Sequence, residues 1–183
     1  MRAGHGHFIR VWLSSIACAA LFLSPCRLSA EASPEYDVKA AFLLNFAKFV
    51  DWPPAAFANA DAPIAICILG KDPFGHGIDD LVQGEAVNGR RLIVRRIGAA
   101  PAAQTCQIVF TQSSGKEVSE ILGSLGPGVL TVGEGSNFIH DGGIIALLVE
   151  SRHVRFDIDQ KAAEAAGLKL SSRLLAVARS VQK

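Results

Sequence analysis

The sequence lacks an excess of charge, a dense set of cysteines, and the residue patterns that mark a common catalytic or phosphate-binding site. Across 183 residues, 18 lysines and arginines are balanced by 17 aspartates and glutamates. A nucleic-acid binder would show a clustered basic face, and an anionic membrane surface would attract the same feature, so neither is the expected partner. Beyond the first thirty residues only His76, His140 and His153 remain, on separate stretches and without Glu-x-x-His or His-x-His spacing. No metal centre is implied. There is no Gly-x-Ser-x-Gly elbow, and neither Ser124 nor Ser136 has the flanks for one. No acid/base pair stands out, and an enzyme is the least supported class.

What is present begins with an export signal. Arg2 and Arg10 make a basic start, and Val11 to Leu23 form an apolar stretch shorter than the ~20 residues that span a bilayer. Leu28-Ser29-Ala30 permits cleavage after Ala30, and Ala30-Glu31-Ala32 permits it after Ala32. Leu23-Ser24-Pro25-Cys26 is a poorer lipoprotein signal, because proline stands where a small residue belongs; a retained anchor is the other alternative. Residues 1–30 are read as a signal peptide and residues 31–183 as one domain, long enough to bury its own core. The expected location is the periplasm, with no membrane insertion after cleavage. Removing Arg2, Arg10 and Arg27 with no acid takes the net charge from +1 to about −2.

Export also removes Cys18 and Cys26. Cys67 and Cys106 remain, and in an oxidising compartment such a pair suggests one disulfide, closing a loop of about 40 residues. A zinc site would need two more ligands, and no cofactor is implied.

Along the domain, Pro34 to Val50 has helical periodicity, with Val38, Phe42, Phe46 and Phe49 on one face and Asp37, Lys39, Asn45 and Lys48 polar. Trp52-Pro53-Pro54 ends it. Ile64 to Leu69 is apolar without alternation, as in a parallel strand covered on both faces, and Gln107 to Phe110 and Val129 to Val132 look like its companions. Between the first two lie a helix from about Pro73 to Gln83 and an edge-like strand, Leu92 to Ile97. Lys116 to Leu125 reads as another helix. Ile144 to Val149 and His153 to Ile158 then form a hairpin at a sheet edge, the second strand turning His153, Arg155 and Asp157 to water. The expected fold is a three-layer α/β/α sandwich with a mixed, mostly parallel sheet of about six strands, closed by the C-terminal hairpin and helices.

Two glycine-rich loops follow buried strands. Gly70-Lys71-Asp72-Pro73-Phe74-Gly75-His76-Gly77 fails both the phosphate-loop and the dinucleotide patterns; Asp72 as helix cap and Pro73 as first helical residue explain it better. With Gly133-Glu134-Gly135-Ser136 it could frame a small-ligand crevice at the carboxyl ends of the strands, with Lys71, His76, Gly77 and Glu134 as candidates. Near the C-terminus, the helix begun behind Asp159 should end at Gly167. Ser171 should cap the last helix, with Leu170 and Leu175 at staple spacing and Leu174, Val177, Ala178 and Val181 carrying the apolar face. Ser171 and Ser172 are read as structural, not nucleophilic.

Two stretches then resemble a known family. Glu35-Tyr36-Asp37-Val38-Lys39-Ala40-Ala41-Phe42, with Phe46-Ala47-Lys48-Phe49-Val50-Asp51-Trp52-Pro53, is similar to the N-terminal signature of the YfiR-like family. Phe138-Ile139, Gly142-Gly143-Ile144-Ile145, Val154-Arg155-Phe156-Asp157-Ile158 and Ala166 to Leu175 resemble its closing motifs. The resemblance implies a periplasmic α/β regulator without catalytic activity. Such a regulator restrains an inner-membrane diguanylate cyclase by binding its periplasmic sensor region, lowers cyclic di-GMP and so limits biofilm. It also implies an outer-membrane lipoprotein that can sequester the inhibitor. Cys67 and Cys106 look like one of the family's disulfide positions; a second pair known in the family has no counterpart here. The surface expected to meet the cyclase is the hairpin and last helix, through Arg152, Arg155, Phe156 and Leu174. A homodimer and a small-ligand module with a signalling role stay open as alternatives.

Overall fold

The computed structural model describes residues 33–183, so the expected signal peptide and its cleavage sites lie outside the described residues. The elements in chain order are α1 (Pro34–Phe49), β1 (Val50–Asp51), β2 (Ile64–Leu69), α2 (Gly77–Val82), β3 (Ala86–Val87), β4 (Arg90–Ile97), β5 (Ile108–Thr111), α3 (Lys116–Ser124), β6 (Leu130–Glu134) and α4 (Asn137–His140). They continue with β7 (Ile145–Glu150), β8 (His153–Asp159), α5 (Gln160–Ala165), β9 (Lys169–Leu170), α6 (Ser172–Val177) and β10 (Ser180–Gln182). Short 3-10 turns occupy Pro54–Ala56 and Ala100–Thr105.

One sheet of eight strands, in the order β10-β8-β7-β6-β5-β2-β4-β3, runs through the middle. The five strands from β4 to β7 are mutually parallel, β8 turns back antiparallel to β7, and β10 lies parallel to β8. The mixed, mostly parallel α/β sheet is the expected one. Its two extra strands, β3 and β10, have two and three residues, too few for periodicity to mark.

Burial on both faces explains why β2 reads as an unbroken apolar run. Ile66 and Ile68 share a face with Ile108, Phe110, Leu130, Val132 and Ile145, and α1, α2, α5 and α6 cover that side. Ala65, Cys67 and Val109 on the other face pack under the Ala100–Thr105 turn and α3. Cys67 is bonded to Cys106, Cα to Cα 6.0 Å, tying β2 to the segment that enters β5. Under α4, the ring of Phe138 is wedged between two backbones: a Cβ on Gly133 or on Gly143 would come within 2.1 Å of it. That close approach, not a ligand loop, accounts for both glycines.

Several expectations change. The helix expected from Pro73 begins only at Gly77. Asp72 does not cap it; its carboxylate accepts from the amides of Phe74 at 2.7 Å and Gly75 at 3.3 Å, folding the loop back before the helix starts. The hairpin is not fully an edge, because β10 pairs outside β8. For the same reason Asp157 is not wet: Arg179 donates to both its oxygens, at 2.8 and 2.5 Å, and covers it. α6 is shorter than the apolar pattern suggested. Leu174 is buried, but Val177 is 67% exposed, and Val181 belongs to β10.

The local capping logic holds. Asp159 accepts from the Ala162 amide at 2.8 Å, Gly167 takes φ +76° behind α5, and Ser171 accepts from the Leu174 amide at 3.2 Å. Leu170 and Leu175 both pack on the core.

Two measurements follow from these ties. Ser171→Ala should lower unfolding stability by about 1 kcal/mol, and Ser172→Ala, exposed in the first turn, by clearly less. Equal losses in denaturant titrations would contradict the cap. Alkylation of the unfolded, unreduced protein purified from the periplasm should find neither Cys67 nor Cys106 as a free thiol. Breaking the bridge, which spans 39 residues, should cost on the order of 3–4 kcal/mol.

Candidate functional site

Helix α1 organises the surface. Pro34 suits a first helical position, and Glu35 and Asp37 complement the positive end of the helix dipole. Its core side is Ala40, Leu43, Leu44, Phe46 and Ala47, so the Val38–Phe42 flank turns away from the sheet centre and Lys39 turns inward. The helix then ends in β1, which pairs with β9; Val50 sits opposite Leu170.

Lys39 is only 3% exposed, although the sequence pattern placed it on the wet face. Its ammonium donates to Glu134 at 2.5 Å and to Glu35 one turn earlier, and lies 4.5 Å from the centre of the Tyr36 ring. Gln112, just past β5, donates to the Tyr36 oxygen at 2.7 Å and to Glu134 at 3.2 Å. Burial alone would lower the Lys39 pKa, but its hydrogen bonds to Glu134 and Glu35 outweigh that and hold it above its ordinary value. Burial, and next to it the Glu134 charge, push the Tyr36 phenol up. The cluster locks the first turns of α1 over the carboxyl ends of β5 and β6.

That lock occupies the expected ligand crevice. Phe74 folds into the space behind β2, edge-on to Phe110 at 4.8 Å and to Tyr36 at 5.6 Å. Lys71, His76 and Gly77 are left on the exposed rim, and a Cβ on Gly77 would touch the Asp37 carboxylate at 3.6 Å. Arg96 clamps the same loop through Asp72, Asp79 and the Gly75 carbonyl, and its hydrogen bonds hold the Asp79 carboxyl below its ordinary range. Glu134 alone of the four crevice candidates lies inside, and it is engaged by Lys39.

An open groove of about 590 Å³ lies instead between the start of α1 and the β7–β8 hairpin, and Val38, Phe42, Val149, Arg152, Val154 and Arg155 are among its walls. Val38 and Val149 are large apolar side chains left 45% and 52% exposed. Arg152 and Arg155 are exposed, and neither makes an ion pair among the described residues. The turn that presents Arg152 holds Ser151 at φ 49° and Arg152 at φ 64°. Both lie in the left-handed region, which costs a side-chain-bearing residue about 1 kcal/mol or more. Phe156 and Leu174, expected with these arginines at a partner surface, lie in the core; Phe156 packs edge-on against Phe42 and Phe46 at 5.3 Å. Strand alternation, which turns His153 and Arg155 to the other face, agrees with the burial of Phe156, and α1 covers the face that Phe156 joins. Sequence reasoning missed Lys39, Tyr36, Gln112 and Val149; the Glu35–Lys39 spacing of four was the available signal for the first.

Among the described residues, no helix is long and apolar enough to cross a membrane, and no group of three or more His, Cys, Asp or Glu is placed to hold a metal. A family model described as YfiR/HmsC-like matches residues 36–179. No curated protein matches the chain. A crystal structure of a conserved domain protein from Vibrio cholerae O1 biovar El Tor is similar in fold, with a TM-score of 0.52 at 12% identity. That similarity covers 83% of this chain and 61% of the other, so the chain spans less than two thirds of that protein's length.

Removing the lysine tests the lock. Lys39→Met should cost about 2–3 kcal/mol, below the ~3–5 of a fully enclosed pair because Glu35 and Glu134 reach solvent. The folded pKa of Lys39 lies above its ordinary 10.5, so its contribution is complete below that pH and is lost as pH rises through the folded value. Denaturant titrations should therefore show an alkaline fall in stability that is shallower in Lys39→Met. An identical alkaline limb in both proteins would contradict the assignment.

Proposed function

The chain belongs to the YfiR/HmsC-like family, and on that ground, together with the groove beside α1, we propose that it is a periplasmic inhibitor of an inner-membrane diguanylate cyclase. Members of the family are periplasmic regulators rather than enzymes. In this reading the signal peptide is removed on export, the mature domain binds the cyclase's periplasmic sensor region, and cyclic di-GMP output falls. An outer-membrane lipoprotein relieves the restraint by sequestering the inhibitor.

The observation that carries the reading is the groove itself. Apolar side chains left in water beside two arginines without salt-bridge partners among the described residues are the composition of an interface anchor, not of an inert surface. The arginines offer hydrogen-bonding forks that complementary carboxylates can satisfy.

Deleting the gene should raise cyclic di-GMP and surface attachment, and deleting the cyclase as well should abolish the rise. Arg155→Glu should reproduce the deletion while leaving the melting temperature nearly unchanged, since the side chain is exposed. A good interfacial arginine typically contributes ~2 kcal/mol or more to binding. Unaltered cyclic di-GMP after deletion, under several growth conditions, would overturn the inhibitor reading.

A further inference from the structure

Strand β8 is covered on its outer side for only half its length. β10 pairs with Asp157, Ile158 and Asp159, and the Arg179 amide donates to the Phe156 carbonyl at 2.8 Å. Among the described residues, no strand pairs with the outer side of β8 ahead of Phe156. The Asp159 amide donates inward to Ile144 at 2.8 Å, and peptide groups alternate in direction along a strand. His153, Arg155 and Asp157 therefore direct their main-chain groups to β7, and Val154, Phe156 and Ile158 direct theirs outward. The amide and carbonyl of Val154 and the amide of Phe156 face outward with no partner among the described residues. This open stretch borders the groove, which Val154 and Arg155 both line.

Main-chain donors and acceptors, an apolar wall and two cations thus lie along one line. We propose that the partner is held as an extended, acidic segment that adds to the open half of the β8 edge. Its main chain pairs with Val154 and Phe156, its apolar side chains rest against Val38, Phe42 and the Val154 side chain, and its carboxylates meet Arg152 and Arg155. This rests on the reading of the groove as the partner surface and specifies how that surface binds.

Charge selects the occupant. A second copy joined through the same edge would bring Arg152, His153 and Arg155 against their own equivalents, and like charges directly opposite destabilise a strand pair. The arginines therefore block self-pairing, a common protection of strand edges, while admitting a segment of opposite sign.

The test uses the mature chain and a fluorescent nine-residue peptide in which glutamate alternates with valine. Saturable binding is expected by anisotropy. It should weaken at least tenfold when lysine replaces glutamate in the peptide, when the peptide's central amides are N-methylated, and when the protein carries Arg155→Glu. The lysine peptide should regain affinity for Arg155→Glu, whose unchanged melting curve would verify its fold. Undiminished binding of the N-methylated peptide would overturn strand addition, and absence of binding by the acidic peptide at millimolar concentration would overturn the proposal as a whole. The gene deletion separates this from the inhibitor reading. A rise in cyclic di-GMP without peptide binding would leave the inhibitor standing and this mode refuted.

Discussion

A lysine ammonium taken out of water must be met by opposite charge, and Lys39 meets its requirement at Glu134, at the carboxyl end of β6. That requirement fixes where α1 begins relative to the sheet. With the first turns held there, the helix crosses the apolar face through Leu43, Phe46 and Ala47, and the space behind β2 is closed by Phe74 and Tyr36. The same placement leaves Val38 and Phe42 facing the hairpin across a gap that no other described element fills. One buried ion pair thus closes the crevice that an α/β sheet usually offers a ligand and opens a groove at its side.

Features carried by neighbours in the chain were readable without a structure. The unbroken apolar run of β2, the serine before α6 and the glycine after α5 each follow from requirements met within a few residues. The disulfide was readable because Cys67 and Cys106 are the two cysteines beyond the expected signal peptide. What could not be read depends on distant partners. Lys39 and Glu134 are separated by 95 positions, and the local Glu35–Lys39 spacing of four, equally at home on a solvated helix face, does not reveal that pairing. Asp157 alternates like a wet residue and is covered only because Arg179 folds back onto it as the chain enters β10. Phe74 gives no periodic signal, since it lies in a loop. The candidate arginines were visible as charges on an alternating strand, whereas their apolar neighbours, contributed by α1 and β7, were not.

The contrast between the two ends of the sheet bears on how such a domain acts. The carboxyl ends of β2, β5 and β6 are crossed by ion pairs and aromatic contacts whose polar groups are mutually satisfied. The outer side of β8 has the opposite character, with main-chain groups and cations left without partners among the described residues. Recognition through a strand edge reads main-chain geometry first and side chains second, so affinity for a class of segments and selectivity within it can be adjusted separately.

The turn at Ser151 and Arg152 has a consequence of a different kind. Folding alone would favour asparagine and glycine at two consecutive left-handed positions. A screen for thermostability would therefore drift towards Asn-Gly here, and each step would look like an improvement. It would also delete a guanidinium from the rim of the groove, producing a sturdier domain with one exposed cation fewer beside Val38 and Val149. If the proposed partner surface is right, selection for stability and selection for contact pull this dipeptide in opposite directions, and the sequence as it stands keeps the arginine.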